Sequence, residues 1–206
     1  MNDSISYTPI TGLQDDLLLP WLDLYETAFP PEEKVLVSMF IGLLKQKEQG
    51  NEPETEFLAA VDAEGQVAGI GFYQTQIAQK TATLWYIAID PKRRSQGLGT
   101  QFYLEIVRRV REAGCQVILF EVEIPERAHT PETRTLAERR IAFYKRNGAK
   151  LLTGIHYMQS VGWHQPTTPM HIMAHPQDAT DAAAVFQLAQ NIFGDAIQQR
   201  GDLALA

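Results

Sequence analysis

The sequence predicts a mixed α/β (α+β) domain, and three observations carry that expectation. Two apolar runs, 57–62 and 66–76, flank the turn Ala63-Glu64-Gly65 and read as an antiparallel hairpin. Further along, an apolar strand, a glycine-containing turn, an amphipathic helix, a second strand and a second helix follow in that order, which favours a parallel strand pair joined by a right-handed crossover. With 206 residues, 45% of them hydrophobic, the chain can bury a full core in one domain.

Local pattern gives each element in turn. The stretch 17–49 reads as helical, with Trp21, Leu24, Tyr25 and Ala28 at helical spacing. Phe29-Pro30-Pro31 breaks it, and a second helix is expected from about residue 32, with Val35, Met39 and Leu43 on one face. After the hairpin, 81–89 supplies a third adjacent strand that Pro91 stops. Leu98, Phe102, Ile106 and Val110 recur every four residues, so a helix over 98–113 buries one stripe, and Gly114 ends it. A β-branched strand is expected at 116–124. Thr130 as N-cap and Pro131 at the first position open a helix that Gly148 closes after Asn147. The runs 150–160 and 170–174 look like closing strands around 162–166. Finally, Val185, Leu188, Ala189, Ile192, Phe193 and Ala196 place a helix over 181–199. The chain thus divides into a main domain, 1–177, and a C-terminal helical extension, 178–206, packed on that domain or on a partner.

A formal charge of −7 argues against nucleic-acid binding, which demands a basic surface, and suits a cationic partner. Lys92-Arg93-Arg94 stands out against that acidic background. Arg134, Arg139, Arg140, Lys145 and Arg146 read as solvated helix surface. The one cysteine, Cys115, allows no disulfide framework and reads as a small buried hydrophobe, which points to a reducing, cytoplasmic setting. No membrane association is expected, because no basic leader precedes an apolar run and no stretch approaches ~20 apolar residues. His171 and His175 lie four apart in an expected strand, and His129 and His164 in loops, so no metal site is expected.

The turn Arg94-Ser95-Gln96-Gly97-Leu98-Gly99-Thr100 lies between strand and helix. The first N–H groups of a helix have no partner inside it, and the macrodipole leaves partial positive charge there, so an anion fits. Gly97 and Gly99 allow a sharp turn and a close approach. Spacing alone leaves a phosphate cradle and an ordinary strand-to-helix connection equally open. The turn matches neither a P-loop nor the G-x-G-x-x-G of a dinucleotide fold.

Three segments in order resemble the Gcn5-related N-acetyltransferase (GNAT) superfamily. They are Leu84-Trp85-Tyr86-Ile87-Ala88-Ile89-Asp90-Pro91 with the Arg94 to Gly99 turn, similar to that family's Arg/Gln-x-x-Gly-x-Gly/Ala motif; the strand Ile118-Leu119-Phe120-Glu121-Val122-Glu123; and Phe143-Tyr144-Lys145-Arg146-Asn147-Gly148, similar to its Phe-Tyr-x-x-x-Gly signature. The resemblance implies a mostly antiparallel mixed sheet whose central parallel strands splay apart, flanked by helices. It also implies acetyl-CoA as cosubstrate. Backbone groups of Ile87, Ala88 and Ile89 would meet the pantetheine arm, and residues Arg94, Ser95, Gln96, Gly97, Leu98, Gly99 and Thr100 would hold the pyrophosphate. The asparagine usual before the third motif is replaced in the neighbourhood of Ala137 and Glu138, and Ala149 stands where an aromatic is usual.

The implied reaction is transfer of an acetyl group from acetyl-CoA to a primary amine of a small molecule or peptide, by direct attack in a ternary complex. A lysine-like amine is neutral at pH 7 only about once in 10³ to 10⁴, so a base is needed. By resemblance Glu121 takes that role through water, and Tyr144 protonates the leaving thiolate. Glu123 shares the side-chain direction of Glu121 by period two and would attract the protonated amine. A backbone N–H near Ala88 or Ile89 would meet the oxyanion. Phe29 and Glu32, in a loop that resembles the acceptor loop of the superfamily, and Tyr86 are candidates for acceptor binding; Tyr73, Tyr157 and Trp163 could line a cleft. The protein would act as a monomer or homodimer. The alternative function is a noncatalytic acyl-CoA-binding regulatory or interaction module, with the C-terminal helix as its interface.

Overall fold

The computed structural model describes residues 5–50, 54–160, 167–177 and 180–206. Trp163, His164 and the 162–166 connection lie outside the described residues. Eight strands form one sheet in the order β1-β2-β3-β4-β5-β7-β6-β8. They are β1 (Ser6–Ile10), β2 (Thr55–Val61), β3 (Val67–Gln76), β4 (Thr81–Ile89), β5 (Val117–Glu123), β6 (Lys150–Gln159), β7 (Thr168–Pro176) and β8 (Ile197–Leu205). Among the described residues five α-helices accompany them: α1 (Leu18–Ala28), α2 (Val37–Glu48), α3 (Leu98–Glu112), α4 (Pro131–Arg146) and α5 (Ala182–Phe193). The expected hairpin is β2–β3, antiparallel, with Gly65 at φ 78° in its turn. The only parallel ladder among the described pairings joins β4 to β5 through Thr81↔Val117, Ala82↔Ile118 and Thr83↔Leu119, and both strands run on beyond it. This is the mostly antiparallel mixed sheet with a parallel pair that the resemblance implies.

The chain folds as two units. One comprises the described residues of Met1–Thr75 with Leu84–Arg109; the other comprises Gln76–Thr83 and the described residues of Val110–Ala206. In the first unit, alternation along β3 sends Ile70 and Phe72 into an aromatic core with Trp21 and Tyr25 of α1, Phe40 of α2, Phe57 and Tyr86. The Trp21 indole N–H donates to the Leu58 carbonyl (3.1 Å), so the buried ring leaves no polar atom unpaired. Gly69 and Gly71 face the other way. A Cβ on Gly71 would lie 3.0 Å from Ile106 and 3.3 Å from Phe102, so this glycine lets the apolar stripe of α3 approach β3.

In the second unit, Val117 and Leu119 of β5 pack with Leu152, Ile172 and, from α5, Val185 and Ala189. Alternate residues use the other face, where Phe120 meets Tyr144 of α4 with ring centroids 4.4 Å apart. Thr130 caps α4, as the sequence predicts, and the structure adds a reciprocal capping box with Thr133. Cys115 is buried and donates weakly to the Thr81 carbonyl (3.3 Å).

Two expectations need correction, and one strand is unannounced. The second helix begins at Val37, not near residue 32, because Pro31–Glu33 forms one 3-10 turn and residues 34 to 36 stay extended. The Tyr86 hydroxyl holds that backbone, donating to the Glu33 carbonyl (2.8 Å) and accepting from the Val35 N–H (3.2 Å). The helix expected over 181–199 stops at Phe193, where Gly194 adopts φ 54°, and 197–205 pairs with β6 as β8. The extension after 177 is therefore a helix followed by a strand. Residues 6–10 form the edge strand β1, paired with β2, which no strong alternation announces.

Candidate functional site

In the first unit, β4 leads through a 3-10 turn (Pro91–Arg93) into the exposed residues Arg94 to Gly97 and then the first turn of α3. Ser95 has φ 65° and Gly97 φ 80°, so two left-handed residues wind the backbone just before the helix. A Cβ on Gly97 would meet nothing within 4 Å, so the glycine answers to the dihedral, not to crowding. The carbonyl of Gly97 accepts from Gln101 (3.2 Å) and opens the helical ladder. Leu98, Gly99 and Thr100 then occupy the first turn, whose N–H groups an α-helix leaves without internal partners.

The three neighbouring cations do not act alike. Arg93 pairs with Asp62, whose side chain is 1% exposed, and Asp62 also accepts the N–H groups of Glu64 (3.1 Å) and Gln66 (2.8 Å). Its charge is thereby matched, and it ties the hairpin turn to the segment before the glycines. Arg94 folds back so that its Nε donates to the Ile89 carbonyl (3.1 Å). Lys92 stays exposed. Ile87, Ala88 and Ile89 are half-buried at the end of β4.

In the second unit, Glu121 is half-buried on β5, and both carboxylate oxygens are occupied. Tyr157 donates its hydroxyl to one and Gln159 its amide N–H to the other. Burial pushes the carboxyl above its ordinary value, and the two hydrogen bonds only partly oppose this. Charge on Glu121 and burial together raise the Tyr157 phenol, burial being the larger cause. Tyr157 and Gln159 alternate on β6, so they present the same side to Glu121.

Glu123 pairs with Arg140 of α4, while its other carboxylate oxygen is buried without a partner among the described residues. Tyr144 is 7% exposed, and burial holds its phenol up to about 12, the Arg140 charge opposing the rise. Tyr144 lies against Phe120, which points to the opposite face of β5 from Glu121. Tyr144 is thus placed by Phe120 of β5, and Glu121 by Tyr157 and Gln159 of β6.

The acceptor candidates differ in kind. Phe29 packs on Tyr86 with centroids 4.9 Å apart, and Tyr86 is buried in the aromatic core with its hydroxyl bound to the loop backbone. Tyr86 therefore supports the loop from beneath. Glu32 lies in the 3-10 turn, and its side chain is outside the described residues. From sequence, Tyr157 reads only as a cleft aromatic and Arg140 as surface charge, and Gln159 does not stand out. The Tyr-x-Gln alternation on an expected strand was the available signal. Among the described residues, no group of three or more His, Cys, Asp or Glu is placed to hold a metal, and no helix is long and apolar enough to cross a membrane.

The sequence profile of the acetyltransferase (GNAT) family matches residues 18–149, more than half of the chain. Among curated proteins none matches. Solved structures share the fold. A GNAT-family protein from Bacteroides thetaiotaomicron superposes with a TM-score of 0.68 at 21% identity, covering 92% of this chain and 98% of its own. Another GNAT-family protein, from Desulfovibrio desulfuricans, gives 0.59 at 22% identity over 85% of this chain and 100% of its own. Phosphinothricin acetyltransferase from Sinorhizobium meliloti, solved in complex with acetyl-CoA, gives 0.56 at 16% identity over 85% of this chain and 89% of its own.

Proposed function

Because the chain belongs to the acetyltransferase (GNAT) family, we propose that it is an acetyl-CoA-dependent N-acetyltransferase acting on a primary amine by direct attack in a ternary complex. The observation that carries this reading is the exposed turn from Arg94 to Gly97, with left-handed Ser95 and Gly97, running into the first turn of α3. A pyrophosphate fits there on chemical grounds: unpartnered helix N–H groups, a backbone open at Gly97, and Lys92 exposed nearby. Ile87, Ala88 and Ile89 would offer backbone groups to the pantetheine amides.

The cosubstrate supplies an acetyl thioester, whose carbonyl carbon accepts the amine nitrogen as the C–S bond breaks. The chain has two proton tasks. Glu121 takes a proton from the amine, through water, and it must be ionised to do so. Its raised value keeps it a stronger base than an exposed carboxylate, and Tyr157 and Gln159 keep it oriented. Tyr144 gives a proton to the departing sulfur. Burial keeps that phenol in its donor form throughout the neutral range. Glu123 would draw the protonated amine only in so far as its pair with Arg140 opens, since that guanidinium offsets its charge.

A thiol-release assay over polyamines, aminoglycosides, amino acids and peptides tests the reading, with acetyl-CoA affinity measured separately by calorimetry. Turnover with at least one amine is expected, and Tyr144→Phe should lower kcat without changing acetyl-CoA affinity. Coenzyme binding with no turnover on any amine would favour the noncatalytic acyl-CoA-binding module instead.

A further inference from the structure

The second unit contains a cavity that the proton transfers do not use. Strand β6 pairs with β7 at Leu152↔Ile172 and again at Tyr157↔Met170, so five steps along β6 answer two along β7. The surplus bows toward β8, where Thr153, Ile155 and His156 find partners instead. Gly154 permits the bow. It has φ 78°, and a Cβ there would sit 2.3 Å from the Asp202 carbonyl oxygen. The space left between β6 and β7 is a cavity of about 180 Å³.

Two properties of its wall select an occupant. Ile124, Ile155 and Met170 make much of it apolar, and Arg127, itself solvent-exposed, is the one described lining residue of fixed charge. Arg127 makes no ion pair among the described residues, although the chain as a whole is acidic. No carboxylate is among the described lining residues, so the wall offers a polycation little and an anion on an apolar body both its needs. The volume lies below the roughly 300–1,000 Å³ that holds drug-sized ligands, so the occupant is about the size of one amino acid. The cavity is also connected to the proposed base. Tyr157 lines the cavity and donates its hydroxyl to Glu121.

We propose that this cavity seats the amine acceptor, and that the acceptor is a small, mainly apolar amine bearing a carboxylate, which Arg127 meets. This rests on the reading of the chain as an N-acetyltransferase with Glu121 as base. Tyr157 is then the residue through which a seated acceptor and the base are held in register.

The test uses the full chain with the twenty standard L-amino acids as probes, and leucinamide, spermidine and kanamycin beside them. Binding is followed by saturation-transfer NMR and calorimetry, turnover by thiol release. At least one apolar amino acid should bind and be acetylated. Leucinamide should bind about tenfold more weakly than leucine, and Arg127→Gln should erase that difference while leaving the melting temperature unchanged. Binding that ignores Arg127, a preference for spermidine or kanamycin, or Arg127-dependent binding without acetylation by a protein that does bind acetyl-CoA would each overturn the proposal. A chain that takes up the amino acid through Arg127 but has no affinity for acetyl-CoA would overturn the enzymatic reading while leaving the carboxylate site standing.

Discussion

The turn before α3 and the carboxylates of β5 are built by opposite means. The turn is seven consecutive residues whose proposed contacts are main-chain groups, shaped by two left-handed dihedrals and a helix start. The carboxylates depend on side chains far away in sequence: Glu121 is held by residues 36 and 38 positions later, and Glu123 by one 17 positions later. A site made of backbone tolerates many side chains but few changes of backbone geometry. A site made of side chains depends on strand register, and a single atom can disable it.

The strongest way to break this contrast is Glu121→Gln. It should lower kcat by about 10²–10⁴ with any amine that is turned over, with acetyl-CoA affinity unchanged by calorimetry. Loss of coenzyme affinity would show that the two regions are not separable. Next in size is Asp62→Ala, which leaves Arg93 without its buried partner and removes the acceptor of two N–H groups. Urea unfolding should give a loss of about 2–3 kcal/mol, and Asp62→Asn, which can still accept both N–H groups, should lose less. Gly97→Ala forces a Cβ onto a left-handed residue at a cost of about 1–2 kcal/mol and should weaken acetyl-CoA binding about tenfold. Gln96→Ala, by contrast, should stay within about twofold, since its side chain only covers surface.

The smallest effect concerns protons. Because burial raises the Glu121 carboxyl, the folded chain holds that proton more tightly than the unfolded chain does. The stability this contributes is complete below the unfolded value of about 4.3 and is lost as pH rises through the folded value. Relative to Glu121→Gln, the native protein should therefore be most stable near pH 4 and lose ground toward neutrality in pH-dependent unfolding. Turnover should run the other way, falling as pH drops through the same raised value.

The sequence made the backbone region readable and much of the side-chain region opaque, for physical reasons. Thr130 with Pro131, the four-residue stripe on α3 and the glycines at 97, 114 and 148 act within one turn of chain, so contiguous residues reveal them. Glu121 was legible as a position, but its environment was not, because Tyr157 and Gln159 reach it from a strand two places away in the sheet. The role of Arg93 was hidden in the same way, since its partner Asp62 lies 31 residues earlier, in the hairpin turn. The strand at 197–205 was absorbed into a helix because Ile192, Phe193 and Ala196 continue a helical spacing past Gly194, and spacing does not register a positive dihedral.

That last strand bears on how the protein behaves at high concentration. β8 stands at the end of the sheet order, where an exposed ladder edge invites a second molecule to add a strand. Here the edge is blunted. Arg200 and Asp202 project from an exposed run, Gly201 interrupts it, and the register with β6 shifts between Thr153 and Ile155. Replacing Arg200 and Asp202 with valine would strip the charges from this margin, and the first symptom to appear would be fibrous precipitation.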